Sequence, residues 1–217
     1  MKQLIFATGN AHKMVEIREI LGDLPYEILS MKEAGVDADI VEDGKTFEEN
    51  ALIKAKAVYD LLTKQKAGGS GAVAADGDAM SGLEDEILVL ADDSGLEVDA
   101  LGGEPGIYSA RYMGEDTSYD VKNQNIIDRL DGVEDEKRSA RFVCAIAAVG
   151  ANGLEKVVRG TVEGRIAYEP AGENGFGYDP IFYLPERGCT TAELSSEDKN
   201  AISHRGNALR LMRKELA

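Results

Sequence analysis

Ile87-Leu88-Val89-Leu90-Ala91-Asp92-Asp93-Ser94-Gly95-Leu96 constrains this chain more than any other stretch. Four aliphatic residues in succession suit a strand covered on both faces, as in a parallel or mixed sheet. Two adjacent carboxylates follow where that strand is expected to end, and Ser94-Gly95 reads as the turn beyond it. Ligands of open α/β sheets bind beyond the carboxyl ends of strands. Paired acids at such a place are costly unless a proton or a cation neutralises them. Mg2+ is the matching cation, because it takes oxygen ligands and works beside substrate phosphates. A solvated acidic loop is the competing reading of this stretch taken alone.

The chain has 217 residues, 43% of them hydrophobic, enough for one large domain or two lobes sharing a core. A formal net charge of -16 argues against nucleic acid or an anionic membrane as partner. Any phosphate ligand must then be held by a few local cations, a metal ion and backbone amides. Cys144 lies in an apolar run and Cys189 in a loop, with no CxxC or Cys/His zinc spacing, so reduced thiols are expected. No apolar run is long enough to span a bilayer, and Met1-Lys2-Gln3 leads straight into a strand. The cytoplasm is the expected compartment.

Gln3 to Ala7 reads as a strand, Thr8-Gly9-Asn10 as a turn, and the following residues as a helix with Met14, Ile17, Ile20, Leu21 and Leu24 on one side. Strand, glycine turn and helix in that order offer backbone N–H groups and a positive dipole end to an anion, with Lys13 adding a full charge. A second strand is predicted over Tyr26–Ser30. Gly44-Lys45-Thr46 is not a Walker A motif, since the glycine required five residues earlier is Asp39. Thr46-Phe47-Glu48-Glu49 reads instead as a capping box opening a helix with Phe47, Ala51, Ala55, Val58 and Leu62 inward. Asn50 and Lys54, four apart, share a different face, and Glu42 just before the helix is a candidate third carboxylate for the metal.

From about Lys64 to Glu86 the composition turns to glycine, alanine and acids, which predicts a flexible acidic insertion. Leu96-Glu97-Val98 reads as a separate short strand. Thr117-Ser118-Tyr119-Asp120 caps a helix expected to bury Val121, Ile126, Ile127 and Leu130. Arg141–Val149 and Leu154–Val162 read as strands joined at Asn152-Gly153, a strong hairpin signal. Glu173 to Phe182 is a loop whose glycines flank two aromatics, so that a planar ligand can approach the backbone and stack on a ring. His204 and Arg205 stand at the start of a last helix carrying Leu209, Met212 and Leu216.

Six segments in this order resemble the inosine/xanthosine triphosphate pyrophosphatase family, the noncanonical purine NTP pyrophosphatases, and are close to its bacterial members. They are Thr8-Gly9-Asn10-x-x-Lys13, Thr46-Phe47-x-Glu49-Asn50-Ala51, Ala91-Asp92-Asp93-Ser94-Gly95-Leu96, Gly103-x-Pro105-Gly106-Ile107-Tyr108-Ser109-Ala110-Arg111-Tyr112, Gly175-Phe176-Gly177-Tyr178-Asp179-Pro180 and Ser203-His204-Arg205-Gly206. The resemblance spans nearly the whole chain; the long acidic stretch 64–86 departs from it. It implies an α/β fold, elongated and two-lobed, with a long central mixed sheet flanked by helices and an active-site cleft between lobes, residues 1–217 forming a single domain. It further implies a homodimer and a Mg2+-dependent hydrolase that converts ITP, dITP or XTP to the monophosphate and pyrophosphate.

Carried over residue by residue, the resemblance implies that Thr8, Gly9, Asn10 and Lys13 hold the triphosphate. Lys54 and Lys199 would neutralise further phosphate charge. Glu42 and Asp92 or Asp93 would hold Mg2+, Asp93 would be the base that activates water, and Ser94 would contact substrate. Phe176 would stack on the purine beside Gly177, Tyr178 and Asp179. Donors from His204 and Arg205, or backbone N–H groups near Tyr178-Asp179, would pair with the O6 acceptor of hypoxanthine or xanthine. Successive strand side chains point to opposite faces, so Asp92 and Asp93 need not do the same job unless the backbone turns between them. Two other functions fit the same motifs: a related-fold pyrophosphatase for modified pyrimidines or ordinary dNTPs, and a non-catalytic nucleotide-binding regulatory module.

Overall fold

The protein is described here by a computed structural model covering residues 2–69 and 87–216. In chain order β1 (Gln3–Phe6), α1 (Ala11–Leu21), β2 (Glu27–Ser30) and α2 (Phe47–Gly69) precede the long strand β3 (Ile87–Val98). Then come α3 (Tyr119–Arg129), β4 (Ser139–Gly150), β5 (Leu154–Ile166), β6 (Phe182–Leu184), β7 (Cys189–Thr190), α4 (Ser196–Ile202) and α5 (His204–Leu216). The strands form one mixed sheet in the order β2-β1-β3-β4-β5-β6-β7. β1 runs parallel to β2 and β3, whereas β6 is antiparallel to β5 and β7. The α/β class read from the sequence is the class observed.

Two compact units share the chain. The first comprises Met1–Asp93, Ala145–Arg159 and Ala208–Ala217, the second Ser94–Cys144 and Gly160–Asn207. In the first, Leu4, Ile5 and Phe6 of β1, Met14, Ile17 and Leu21 of α1, and Phe47, Ala51, Ala55, Val58 and Leu62 of α2 are all buried. These are the positions that helical and strand periodicity select, with the exception of Ile20 and Leu24, which are only partly buried. In the second, Leu96, Val98, Ile126, Leu130, Phe142, Ile166, Ile181, Phe182 and Leu184 form a core. Beside it Arg138, fully buried, donates to the carbonyls of Leu130, Ile166 and Ala167 at 2.8 to 2.9 Å.

Three local expectations are corrected. The strand does not end at the acidic pair: β3 continues through Asp92-Asp93-Ser94-Gly95 to Val98, absorbing the short strand expected separately. What ends is its pairing with β1, whose ladder runs from Gln3↔Ile87 to Phe6↔Leu90. Burial of Leu96 and Val98 in the second core outweighs the turn propensity of Ser-Gly. Helix α2 extends through Lys64 to Gly69, so the start of the proposed insertion is helical; residues 70–86 of that stretch lie outside the described residues. On α3, Val121 is 50% exposed and the buried positions are Lys122, Asn123 and Ile126, with Leu130 at the helix end. Ile126, Ile127 and Leu130 meet the core as expected, and only Val121 gives up its place, to Lys122 and Asn123.

Asn152 (φ 56) and Gly153 (φ 73) form the left-handed pair at the β4–β5 tip, the conformation that Asn-Gly favours. Cys144 and Cys189 are free thiols. No described helix is long and apolar enough to cross a membrane.

Candidate active site

The register of β1 against β3 brings the turn after β1 beside the two aspartates. Phe6 stands opposite Leu90, the Ala7 N–H still reaches the Leu90 carbonyl at 2.7 Å, and the chain turns at once, the Thr8 N–H donating to the Phe6 carbonyl at 2.7 Å. Thr8 Oγ1 accepts from the Asn10 N–H at 3.1 Å, and Asn10 Oδ1 accepts from the Lys13 N–H at 3.4 Å, making Asn10 the cap of α1. Lys13, in the first turn of that helix, then donates to Asp92 Oδ2 at 2.7 Å. Asp92 itself is fully buried.

Helix α2 supplies the other side of the cluster. Its cap Thr46 accepts from the Glu49 N–H at 3.1 Å, while the Glu49 carboxylate accepts from the Lys45 N–H at 2.6 Å. Asn50, one residue into the next position, is buried and used at both ends: Oδ1 accepts from the Gly44 N–H at 2.8 Å and Nδ2 donates to Asp93 Oδ2 at 3.0 Å. A Cβ at position 44 would stand 2.7 Å from Asn50 Oδ1. Gly44 therefore serves this close approach and not a phosphate loop. One turn further, Lys54 Nζ donates to Glu42 Oε1 at 2.7 Å and to the Asp92 carbonyl at 2.8 Å. Burial works against the Lys54 charge, but Asp92, Glu42 and Asp93 together hold its pKa above the usual lysine value.

Because no turn intervenes, Asp92 and Asp93 leave successive positions of an extended strand toward opposite faces. Lys13 of α1 meets the first, and Asn50 of α2 meets the second. Asp93 is half-buried, and its carboxyl is pushed up from 3.8 to about 6. Burial is the largest cause; the charges of Glu42 and Asp92 push the same way, while the Asn50 donor and Lys54 pull it down. A carboxylate in that state is a poised proton acceptor near neutral pH. Asn50 was visible in the sequence as the partner of Lys54 on a helix face and as part of the Thr46–Ala51 segment, but its hold on Asp93 depends on a contact 43 residues away.

The first unit thus holds two ion pairs, Asp92 with Lys13 and Glu42 with Lys54, and Asp93 feels the charges of Glu42, Asp92 and Lys54. All-oxygen donors with surplus negative charge are what a hard divalent cation requires. Among the described residues no group of three or more His, Cys, Asp or Glu is placed to hold a metal ion by itself.

The glycine–aromatic loop belongs to the second unit. Asp179 is buried and its carboxylate is committed within the loop: Oδ2 accepts from the Phe176 N–H at 2.8 Å and from Lys199 Nζ at 2.5 Å, and Oδ1 accepts from the Thr191 hydroxyl at 2.9 Å. Lys199 also lies 5.0 Å from the centre of the Phe176 ring, which is 47% exposed. Lys199 is thus tied into the aromatic loop of the second unit. Tyr178 points its side chain inward, donating to the Ser109 carbonyl at 2.7 Å and meeting Tyr119 edge to face at 5.3 Å. Only its backbone is left for a ligand. Arg205 is buried and His204 stacks on Phe142 at 4.9 Å, so this pair is not the solvated helix start that an isolated His-Arg suggests.

A family model described as the Ham1 family matches residues 4–215. A Clostridium perfringens protein named dITP/XTP pyrophosphatase is 46% identical over 216 residues, covering 100% of this chain and 98% of its own. The solved structure of a HAM1 protein from Coxiella burnetii is 38% identical with a TM-score of 0.82, covering 100% of this chain and 98% of that one. The Staphylococcus aureus Ham1 protein is 41% identical with a TM-score of 0.80, over 99% and 98%.

Proposed function

The chain belongs to the Ham1 family, and on that premise we propose that it is a nucleoside triphosphate pyrophosphatase releasing pyrophosphate from ITP, dITP and XTP. One observation carries the chemistry: residues scattered from Lys13 to Asp93 converge, and the convergence leaves a single carboxylate, Asp93, raised to about 6. A binding module has no need of such a group, which argues against the non-catalytic alternative.

In this reading Asp93 accepts the proton of the attacking water, a bond forms from that oxygen to the α-phosphorus, and the bond from the α-phosphorus to the bridging oxygen breaks, so that pyrophosphate leaves. The Thr8 and Asn10 N–H groups are already bonded, to the Phe6 carbonyl and to Thr8 Oγ1, so this turn receives phosphate oxygens through the Gly9 N–H and the start of α1. Lys13 and Lys54 neutralise charge on the triphosphate. Ser94, next to Asp93 on β3, contacts substrate. Glu42 and Asp93 are the ligands named for Mg2+, which when bound would neutralise phosphate charge and acidify water. Asp92, buried and paired with Lys13, is assigned to holding that lysine in place rather than to the metal.

Purine choice is assigned to the second unit, where Phe176 offers its ring and Arg205 and His204 offer donors to O6. Adenine presents an amino donor at that position, and a site built to bond an acceptor rejects such an analogue by roughly 10⁴–10⁵. The reading extends to a homodimer acting in the cytoplasm on free nucleotides, for which the charge of -16 suits neither nucleic acid nor an anionic membrane. Sedimentation at micromolar concentration is expected to give twice the chain mass of 23.3 kDa.

Incubation with ITP and Mg2+, with pyrophosphate and orthophosphate assayed separately, tests the reaction. IMP with stoichiometric pyrophosphate is the expected product; orthophosphate, or equal kcat/KM for ATP and ITP, would overturn it. Asn50→Leu gives a finer check. It removes the donor that holds the Asp93 carboxyl down, so the acid limb of the kcat/KM profile is expected to move to higher pH. Coincident limbs in the two proteins would take the titration away from Asp93.

A further inference from the structure

Helix α3 carries two polar residues, Lys122 and Asn123, inward and its valine outward. Lys122 and Asn123 are fully buried while Val121, their neighbour, is half exposed. Burying an ammonium and an amide where an apolar side chain was at hand is costly unless both are bonded. Lys122 is accounted for: its Nζ donates to the Ala110 carbonyl at 2.7 Å and lies 4.9 Å from the centre of the Tyr119 ring. Asn123 is accounted for only on one side. Its Nδ2 donates to the Gly177 carbonyl at 3.1 Å, whereas its Oδ1 is buried with no hydrogen-bond partner among the described residues. The chain tolerates a stranded amide oxygen, and the contact that accompanies it is the one to Gly177.

Gly177 directly follows Phe176. Its φ of +70 lies in the left-handed region, and a Cβ there would rest 3.6 Å from the Tyr119 ring, so α3 also forms the floor under this residue. The residue before Phe176 is held from elsewhere: Gly175 has φ +76, and a Cβ on it would come within 2.3 Å of Asp179 Oδ2. Phe176 therefore stands between two fixed glycines, one set by Asp179 and the other by α3, while its own ring remains half exposed. Glycine backbone has wide freedom unless something restrains it. A restraint placed on the free protein removes ordering cost from the binding step.

We propose that Asn123 is a positioning residue for purine recognition: its amide grips the Gly177 carbonyl and thereby sets the Phe176 ring against which the base stacks. The assignment rests on the reading above that Phe176 meets the purine. Asn123 touches no substrate atom in this account, and its effect on turnover passes entirely through the loop.

Asn123→Leu keeps the size of the side chain and removes both the grip and the stranded oxygen. Asn123→Ser removes the grip with less bulk and guards against a misfolded leucine variant. Both are expected to raise KM for ITP about 10-fold with kcat within about two-fold of wild type, the pattern of lost positioning before the chemical step. Inorganic tripolyphosphate, which carries no base, is expected to inhibit wild type and both variants with the same Ki. Unchanged KM for ITP in a folded variant overturns the proposal. So does an equal loss for ITP and tripolyphosphate, because it would mean general damage and not a displaced ring. Absence of pyrophosphate release by the wild type would instead remove the proposed reaction, an outcome read before any variant is made.

Discussion

Asp93→Asn is expected to lower kcat for ITP by about 10²–10⁴, the range spanned by removal of a general base, and at the same time to make the metal-free protein more stable at pH 8. The two effects have one cause. Burial is the main cause that raises the Asp93 carboxyl, Glu42 and Asp92 add to it, and the Asn50 amide and Lys54 oppose them. The environment that readies the group to take a proton from water also makes its ionised form unfavourable in the folded state. Asparagine keeps the shape and presents an amide oxygen to the Asn50 Nδ2, so the helix-to-strand contact survives while the charge is gone.

The stability effect has a definite sign and pH window. In the folded state Asp93 titrates at about 6, against 3.8 as its ordinary value. Below 3.8 the group is protonated in both folded and unfolded chains, and the stability it contributes is fully present. Between 3.8 and 6 the unfolded chain releases the proton first, and that stability falls; above 6 it is lost. The difference amounts to roughly 2–3 kcal/mol between pH 4 and pH 8. Urea midpoints in the presence of a chelator are therefore expected to favour Asp93→Asn at pH 8, with the gain shrinking toward pH 4. An inactive variant that is no more stable than wild type at pH 8 would separate catalysis from the buried charge. An active one would assign the proton to another group.

Much of this site is legible in the sequence because its parts are local. The turn after β1, the cap of α1 and the lysine in its first turn each follow from residues within one helical turn of one another and are built as expected, while of the α2 capping box the Thr46 half forms and Glu49 reaches back to the Lys45 N–H instead of the Thr46 N–H. What failed to be legible depends on partners distant in the chain. Ser94-Gly95 carries a local turn signal, yet pairing within the sheet and burial of Leu96 and Val98 extend β3 through it. That continuity is what sends Asp92 and Asp93 to different helices. On α3 a periodicity of apolar residues selected Val121, but the helix turns Lys122 and Asn123 inward, and no local rule places an amide in a core for the sake of a carbonyl 54 residues away. Asp179 shows the same limit in another form: it sits in a motif associated with substrate, while its carboxylate ties that loop, through the Phe176 N–H, to Thr191 and Lys199, 12 and 20 residues on.

Asp179→Ala is accordingly expected to be the most destabilising single change in the second unit's loop. The carboxylate is buried and satisfies three donors at once, namely the Phe176 N–H, the Thr191 hydroxyl and Lys199 Nζ. Truncating one partner of a buried ion pair strands the other, at a cost of about 3–5 kcal/mol, which in a chain of this size lowers Tm by roughly 6–20 °C. At a temperature where the variant stays folded, Phe176 loses the restraint on its amide, so KM for ITP rises while inhibition by tripolyphosphate, read in the first unit, stays as in wild type. Part of the stability loss is the penalty of the uncompensated Lys199 ammonium. Adding Lys199→Met to Asp179→Ala is therefore expected to restore stability in part and to leave KM for ITP high, because the neutral pair removes the stranded charge without rebuilding the loop. Strictly additive losses in the double variant would mean that the ion pair contributes nothing of its own, and that Asp179 holds the loop through the Phe176 amide and the Thr191 hydroxyl alone.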